Sequence, residues 1–194
     1  TVADATDVTV TQGGTALSAL VPRPGSATGS GLINLSDVES WLDIDNNASL
    51  TSLSGLEGVR GIGASIYIQR NDSLMNLSGL DNLGHVDGTV WIDDNDDLTT
   101  LAGLGATFIE GQLTIEDNDS LTDITELLDY TILYGLDIDN NDALVSLDGL
   151  DNLSTVAGTL TIENNAALED FSALDLTQVQ GNLILRNNGE HVDT

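Results

Sequence analysis

The stretch Val86-Asp87-Gly88-Thr89-Val90-Trp91-Ile92-Asp93-Asp94-Asn95-Asp96-Asp97-Leu98 decides the fold. Val90 and Ile92 stand five and three residues before Asn95, Leu98 stands three after it, and Val86 stands four before Val90. The same spacing returns around Asn47, Asn71, Asn118, Asn141, Asn165 and Asn188, at intervals of 23 or 24 residues, a period in the range of solenoids. The aliphatic pair before each Asn, from Leu42 and Ile44 to Leu183 and Leu185, alternates as a short strand with one buried face does.

Apolar residues continue after each Asn from Asn47 to Asn165 at three-residue steps, as in Leu74, Leu77 and Leu80. A further apolar position precedes each strand at Val38, Ile62, Val86, Ile109, Ile132, Val156 and Val179. Each unit therefore carries apolar groups on several sides of one coil. It cannot bury them alone, whereas stacking like residues above like buries them all.

The predicted fold is all-β: a parallel right-handed β-solenoid of about seven coils of 23–24 residues. Residues 1–41 are expected to form an irregular N-terminal capping coil, with a strand near Val8 and Val10 and a Pro- and Gly-rich inserted loop. Residues 42–188 form the repeat solenoid and 189–194 a tail. Tyr134 stands where most units have Gly, just after Glu126-Leu127-Leu128-Asp129, so a bulge or helical turn is expected in that coil. Asn187-Asn188-Gly189 closes the last coil without the usual Leu, which leaves that end for a tail, partner or further domain to cover.

The recurrent Asn has a structural explanation. At a tight corner its amide satisfies backbone groups of its own turn and of the next coil, so Asn47, Asn71, Asn95, Asn118, Asn141, Asn165 and Asn188 are expected to form a ladder. Of six N-x-S sequons, those at Asn47, Asn71 and Asn118 fall on this ladder, where a glycan would break the corner. Asn34, Asn76 and Asn152 are the acceptors a glycosylating host would use.

The unit from Val86 to Leu98 resembles the repeats of receptor L-domain-like proteins, relatives of leucine-rich repeats, and the resemblance runs from about Val38 to Asn188. It implies a β-helical module of the kind found in receptor ectodomains and in microbial surface and secreted proteins, which bind or support other surfaces. The chain has no Cys, unlike the disulfide-bonded animal receptor members, so it is closer to the cysteine-free microbial surface arrays. A secreted or cell-surface location is expected on this basis.

Charge narrows the partners. The 194 residues carry 32 acidic groups against four Arg (Arg23, Arg60, Arg70, Arg186) and no Lys, a formal net charge of −28. Such a surface repels phosphate backbones and anionic headgroups within a Debye length, which argues against nucleic acid. No apolar run approaches the roughly 18 residues that span a bilayer, so membrane insertion is not expected. The start at Thr1, without Met or a signal-like segment, reads as a processed or excised soluble domain.

Stacking turns outward strand positions into columns. The middle column is Asp43, Tyr67, Trp91, Thr114, Asp137, Thr161 and Ile184; the next is Asp45, Gln69, Asp93, Glu116, Asp139, Glu163 and Arg186. Like charges on neighbouring strands, about 5 Å apart, repel by roughly 0.8 kcal/mol per pair even at the dielectric of water. Two consequences are expected. Asp93, Glu116 and Asp139 could attract Ca²⁺, although the D-x-D-x-N pattern here lacks the Gly and distant Glu of an EF-hand; otherwise the acids form a solvated face, and no cofactor is called for. Tyr67 and Trp91, beside Gln69 and these acids, form either a platform for a glycan or protein partner or a patch covered by the loop at residues 22–34.

The residues favour a non-enzymatic extracellular binding or adhesion module. A structural spacer or self-associating subunit of a surface assembly is the alternative, with a polysaccharide-cleaving β-helix third. Against cleavage, the cationic groups that hold polyuronates are missing and no carboxylate pair stands apart from a column of many. His85 at a coil corner and His191 in the tail read as surface histidines.

Overall fold

The computed structural model describes residues 3–5, 8–11, 35–106 and 108–189. They form a parallel β-solenoid almost without helix. One sheet dominates, with eight strands: β1 (Val8–Thr11), β2 (Leu42–Asp45), β3 (Ile66–Gln69), β4 (Val90–Asp93), β5 (Gln112–Glu116), β6 (Gly135–Asp139), β7 (Leu160–Glu163) and β8 (Leu183–Arg186). Each strand pairs only with the strands of the coils before and after it, and at about 4.8 Å per strand the sheet is on the order of 35 Å long.

The registers match equivalent repeat positions: Leu42↔Ile66↔Val90↔Leu113↔Leu136↔Leu160↔Leu183, with every intervening column aligned in the same way. About six full turns of roughly 23 residues lie between β2 and β8. The expected count of about seven is slightly high because seven strands enclose only six circuits.

Inside the coils, the strand aliphatics from Leu42 to Ile162 are fully buried, as are the three-step residues Leu50, Leu53, Leu56, Leu74, Leu77 and Leu80. Two shorter sheets form the wall before the main strands. Ala3–Ala5, Leu35–Val38, Gly61–Ile62, His85–Val86 and Phe108–Ile109 make one; Ile132–Leu133, Thr155–Val156 and Gln178–Val179 make the other.

The break between them falls on the coil with the 3₁₀-helix Thr125–Asp129. At the second corner of other coils stands a Gly with positive φ, such as Gly55 (114°), Gly79 (121°), Gly103 (98°) and Gly149 (114°). Glu126 and Ala173 hold that place in two coils, and neither has positive φ, which a side chain disfavours; the corner at Glu126 winds into the helix, whereas that at Ala173 closes as a turn. The expected helical turn is therefore present, at Thr125–Asp129.

Two expectations need correction. Ile132 is 57% exposed, and Leu133 takes the inward place, paired with Val156. This coil has one residue fewer between the inward position and its strand, and counting back from Leu136 misplaces the pair by one. Leu183 and Leu185 point to the inner side of the last strand but are 56% and 45% exposed, because no described coil lies over them. The predicted strand near Val8 and Val10 is present and pairs with Leu42–Asp45. The inserted loop and residues 190–194 lie outside the described residues.

Candidate functional site

The Asn ladder fixes the edge of the main sheet. In the rungs from Asn71 to Asn165 the amide nitrogen donates to the carbonyl two residues earlier and to a strand carbonyl of the preceding coil, while the amide oxygen accepts from the preceding Asn. Asn118 Nδ2 donates to Glu116 O (2.7 Å) and Ile92 O (3.1 Å), and its Oδ1 accepts from the backbone N (3.3 Å) and Nδ2 (3.2 Å) of Asn95. Asn47, Asn71, Asn95, Asn118, Asn141 and Asn165 are buried, so their role is structural. Asn46, Arg70, Asp94, Asp117, Asn140, Asn164 and Asn187, immediately before them, all take left-handed φ of 52–58°, a conformation that Asn and Asp tolerate best among side-chain-bearing residues.

On the outer face both predicted columns are realised, with Tyr67 opposite Trp91, Trp91 opposite Thr114 and Thr114 opposite Asp137. The rings of Tyr67 and Trp91 lie 6.3 Å apart and are tilted by 47°, within the range of favourable aromatic pairing. Trp91 Nε1 donates to Glu116 Oε1 at 2.8 Å. The two rings border a cleft of about 300 Å³, lined also by Thr89, Gln112, Thr114, Glu116 and Asp137.

The acids of this face fall into two groups. At the flanks, Arg70 pairs with Asp45 (2.6 Å) and Arg186 with Glu163 (2.6 Å). Between them the partners are neutral: Gln69 Nε2 reaches Asp93 (3.1 Å), Gln112 Nε2 reaches Asp137 Oδ2 (3.4 Å) and Asn164 Nδ2 reaches Asp139 (2.8 Å). Asp137 Oδ1 is buried and has no hydrogen-bond partner among the described residues. Burial first, and neighbouring acids second, push the carboxyls of Asp43, Asp93, Asp94 and Asp137 above their ordinary range. Burial raises Glu116 too, against the opposing hydrogen bond from Trp91.

These shifts have a sign. A carboxyl raised in the folded state stabilises the fold below its unfolded pKa and loses that contribution as pH rises through the folded value. Glu57 and Asp123 act oppositely, because hydrogen bonds from backbone N–H groups lower them; their contribution is lost as pH falls below the carboxylate range. In low salt the melting temperature should therefore rise between about pH 7 and about pH 5 and fall again near pH 3. A calorimetric pH series checks this, and a monotonic fall on acidification would contradict it.

A larger cleft, of about 390 Å³, lies beside the 3₁₀-helix, between Asp81, Gly103, Gly105, Glu126 and Asp129. It has no aromatic wall, and Asp81 is engaged on the N–H of Gly79 at 2.8 Å, so the smaller cleft is the better candidate. Of the residues expected at a site, Tyr67, Trp91 and Glu116 meet at that cleft, while Gln69 and Asp93 pair with each other beside it and Asp139 turns to Asn164. Among the described residues no three acids or histidines converge as metal ligands. Gln112, Thr114 and Asp137 were not singled out as site residues, although Thr114 and Asp137 lie in the predicted middle column; Gln112 precedes its strand's first aliphatic and carries no repeat signal.

His85 is exposed on its short strand, and no helix among the described residues is long and apolar enough to cross a membrane. No protein-family model, curated protein or solved structure matches the chain.

Proposed function

We propose that this chain is a non-enzymatic extracellular binding module that receives a glycan on the outer face of its main sheet. The observation that carries the reading is the tilted Tyr67–Trp91 pair at the edge of a cleft otherwise lined by hydroxyl, amide and carboxylate groups. Aromatic faces stack on the apolar side of a sugar ring, and Thr89, Gln112 and Thr114 suit its hydroxyls. The same features favour a glycan over a protein partner, because one small cleft offers little of the area that a stable protein interface needs. The resemblance of the repeat to receptor L-domain units supports a surface location.

The test is the double substitution Tyr67→Ala with Trp91→Ala, read against a panel of soluble oligosaccharides. Binding should fall at least about tenfold, the loss expected from removing roughly 1.4 kcal/mol or more of contact. The melting temperature should stay within about 3 °C, since both rings are only half buried. A large loss of stability would mean the rings serve the core, and release of reducing ends by the unmodified protein would overturn the non-enzymatic part.

A second reading, a spacer or subunit of a surface assembly, draws on β8, whose outer edge has no strand partner among the described residues and whose leucines are exposed. Light scattering that finds only monomer across salt and Ca²⁺ concentrations would count against it.

A further inference from the structure

We infer that the glycan received by the Tyr67–Trp91 cleft carries free, protonated amino groups, so that the ligand class is a deacetylated amino-sugar oligomer; this rests on the glycan reading above. Three independent features meet at the cleft. The first is the distribution of cations. The two arginines of this face bond to Asp45 and Glu163, at its flanks, whereas among the described residues Glu116 and Asp137, which line the cleft, bond only to the neutral donors Trp91 and Gln112. The negative charge is thus left uncompensated where a ligand would sit.

The second feature is an acceptor without a donor. Asp137 Oδ1 is covered by protein atoms and has no hydrogen-bond partner among the described residues, a state that costs free energy until the carboxylate turns toward a donor in the cleft. A charged donor satisfies it best, since hydrogen bonds between ionised groups are about twice as strong as neutral ones. The third is the aromatic pair itself. Trp91 commits its N–H to Glu116, and indole and phenol rings attract cations to their faces.

Other ligand classes fit less well. A uronate or sialylated sugar brings its own negative charge to Glu116 and Asp137. A neutral sugar supplies hydroxyl donors but no charge to set against these acids. A lysine side chain supplies the charge, yet it has no ring to lie on Trp91 and no hydroxyls for Thr89, Thr114 and Gln112. A pyranose bearing an ammonium group meets all three requirements in a cleft of about 300 Å³.

Isothermal titration of the full chain in low salt with the glucosamine tetramer tests this, with the N-acetylglucosamine tetramer, the glucose tetramer and tetralysine as competing probes. The glucosamine tetramer should bind at least tenfold more tightly than either neutral tetramer and weaken as salt is raised. Asp137→Asn should remove most of that preference, and Trp91→Ala should weaken both charged and neutral sugars.

Equal binding of the neutral tetramers would overturn the inference and leave the glycan reading intact. Binding of tetralysine alone, or of no probe, would overturn both. Binding of the glucosamine tetramer that Trp91→Ala leaves unchanged would mark mere attraction to an acidic surface and also overturn the inference. Asp137→Asn also removes a buried charge, so its melting temperature should not fall, and a change in affinity is then not a folding defect.

Discussion

Asn118→Ala should lower the melting temperature by about 8–16 °C, far more than any substitution on the outer strand face. Asn118 is fully buried in the ladder. Its side chain satisfies Glu116 O and Ile92 O and accepts from the backbone and side chain of Asn95. Alanine removes these bonds together: the N–H of Asn95 loses its acceptor, and Glu116 O keeps only the N–H of Asp94, in a corner closed on both sides by neighbouring coils. The orphaned N–H costs about 1–3 kcal/mol and each other lost bond about 0.5–1.5 kcal/mol, a total on the order of 4 kcal/mol, and a domain of this size loses about 2–4 °C per kcal/mol.

Asn118→Asp should not rescue the fold. It keeps an acceptor but loses both donors and buries a charge. Asn188→Ala makes the useful contrast. Asn188 sits on the last strand's corner, partly exposed, and donates only to Ile162 O while accepting from Asn165, so about half the loss is expected. Thermal melts followed by circular dichroism check both. Hydrogen exchange should show the Asn118 defect in the coils on either side, since the rung joins three of them. A shift of less than about 2 °C for Asn118→Ala would remove the ladder as a source of stability.

Much of this was legible in the sequence because stacking makes each position answer to its equivalents. The alternation around Asn95 alone permits a strand in any sheet; repeated at 23–24 residues, it fixes parallel pairing, register and both outward columns, and so the juxtaposition of Tyr67 with Trp91. Counting fails where one coil differs from its neighbours. Leu133 rather than Ile132 turns inward because the coil is shortened by one residue just there.

Composition also hides division of labour among the acids. Glu57, Asp81 and Asp151 each accept from the N–H of the Gly two residues earlier, at 2.8, 2.8 and 3.1 Å. These acids serve the second corner, not a ligand, although in the sequence they look like the acids of the outer face. The cleft was only partly legible. Its ring wall follows from the columns, but Gln112 enters from the first residue of its strand, ahead of the aliphatic pair, and the orphaned oxygen of Asp137 depends on side-chain directions that periodicity does not determine.

Gly149→Ala is the second substitution expected to cost the most, on the order of 10 °C in melting temperature. Gly149 has φ of 114°, outside the regions open to residues with a Cβ, and holding alanine there costs about 1–3 kcal/mol. Space adds a separate penalty. A Cβ on Gly149 would stand 2.3 Å from Ile124 O and 2.8 Å from Ile124 C, so the backbone of the preceding coil must move away from a stack whose leucines, Leu147 and Leu150, are fully buried. Forcing atoms into such packing typically costs a further 1–3 kcal/mol or so. Gly149→Asn tests both causes together. Asn is tolerated near φ of about 57°, not at 114°, and it brings the same Cβ, so it should be no better than alanine. Gly84→Ala is the matched control, because its Cβ would meet only Arg60 O, at 3.3 Å, and its φ is not positive; it should change stability by less than about 1 kcal/mol. Equal melting temperatures for Gly149→Ala and Gly84→Ala would show that the coils yield at this corner.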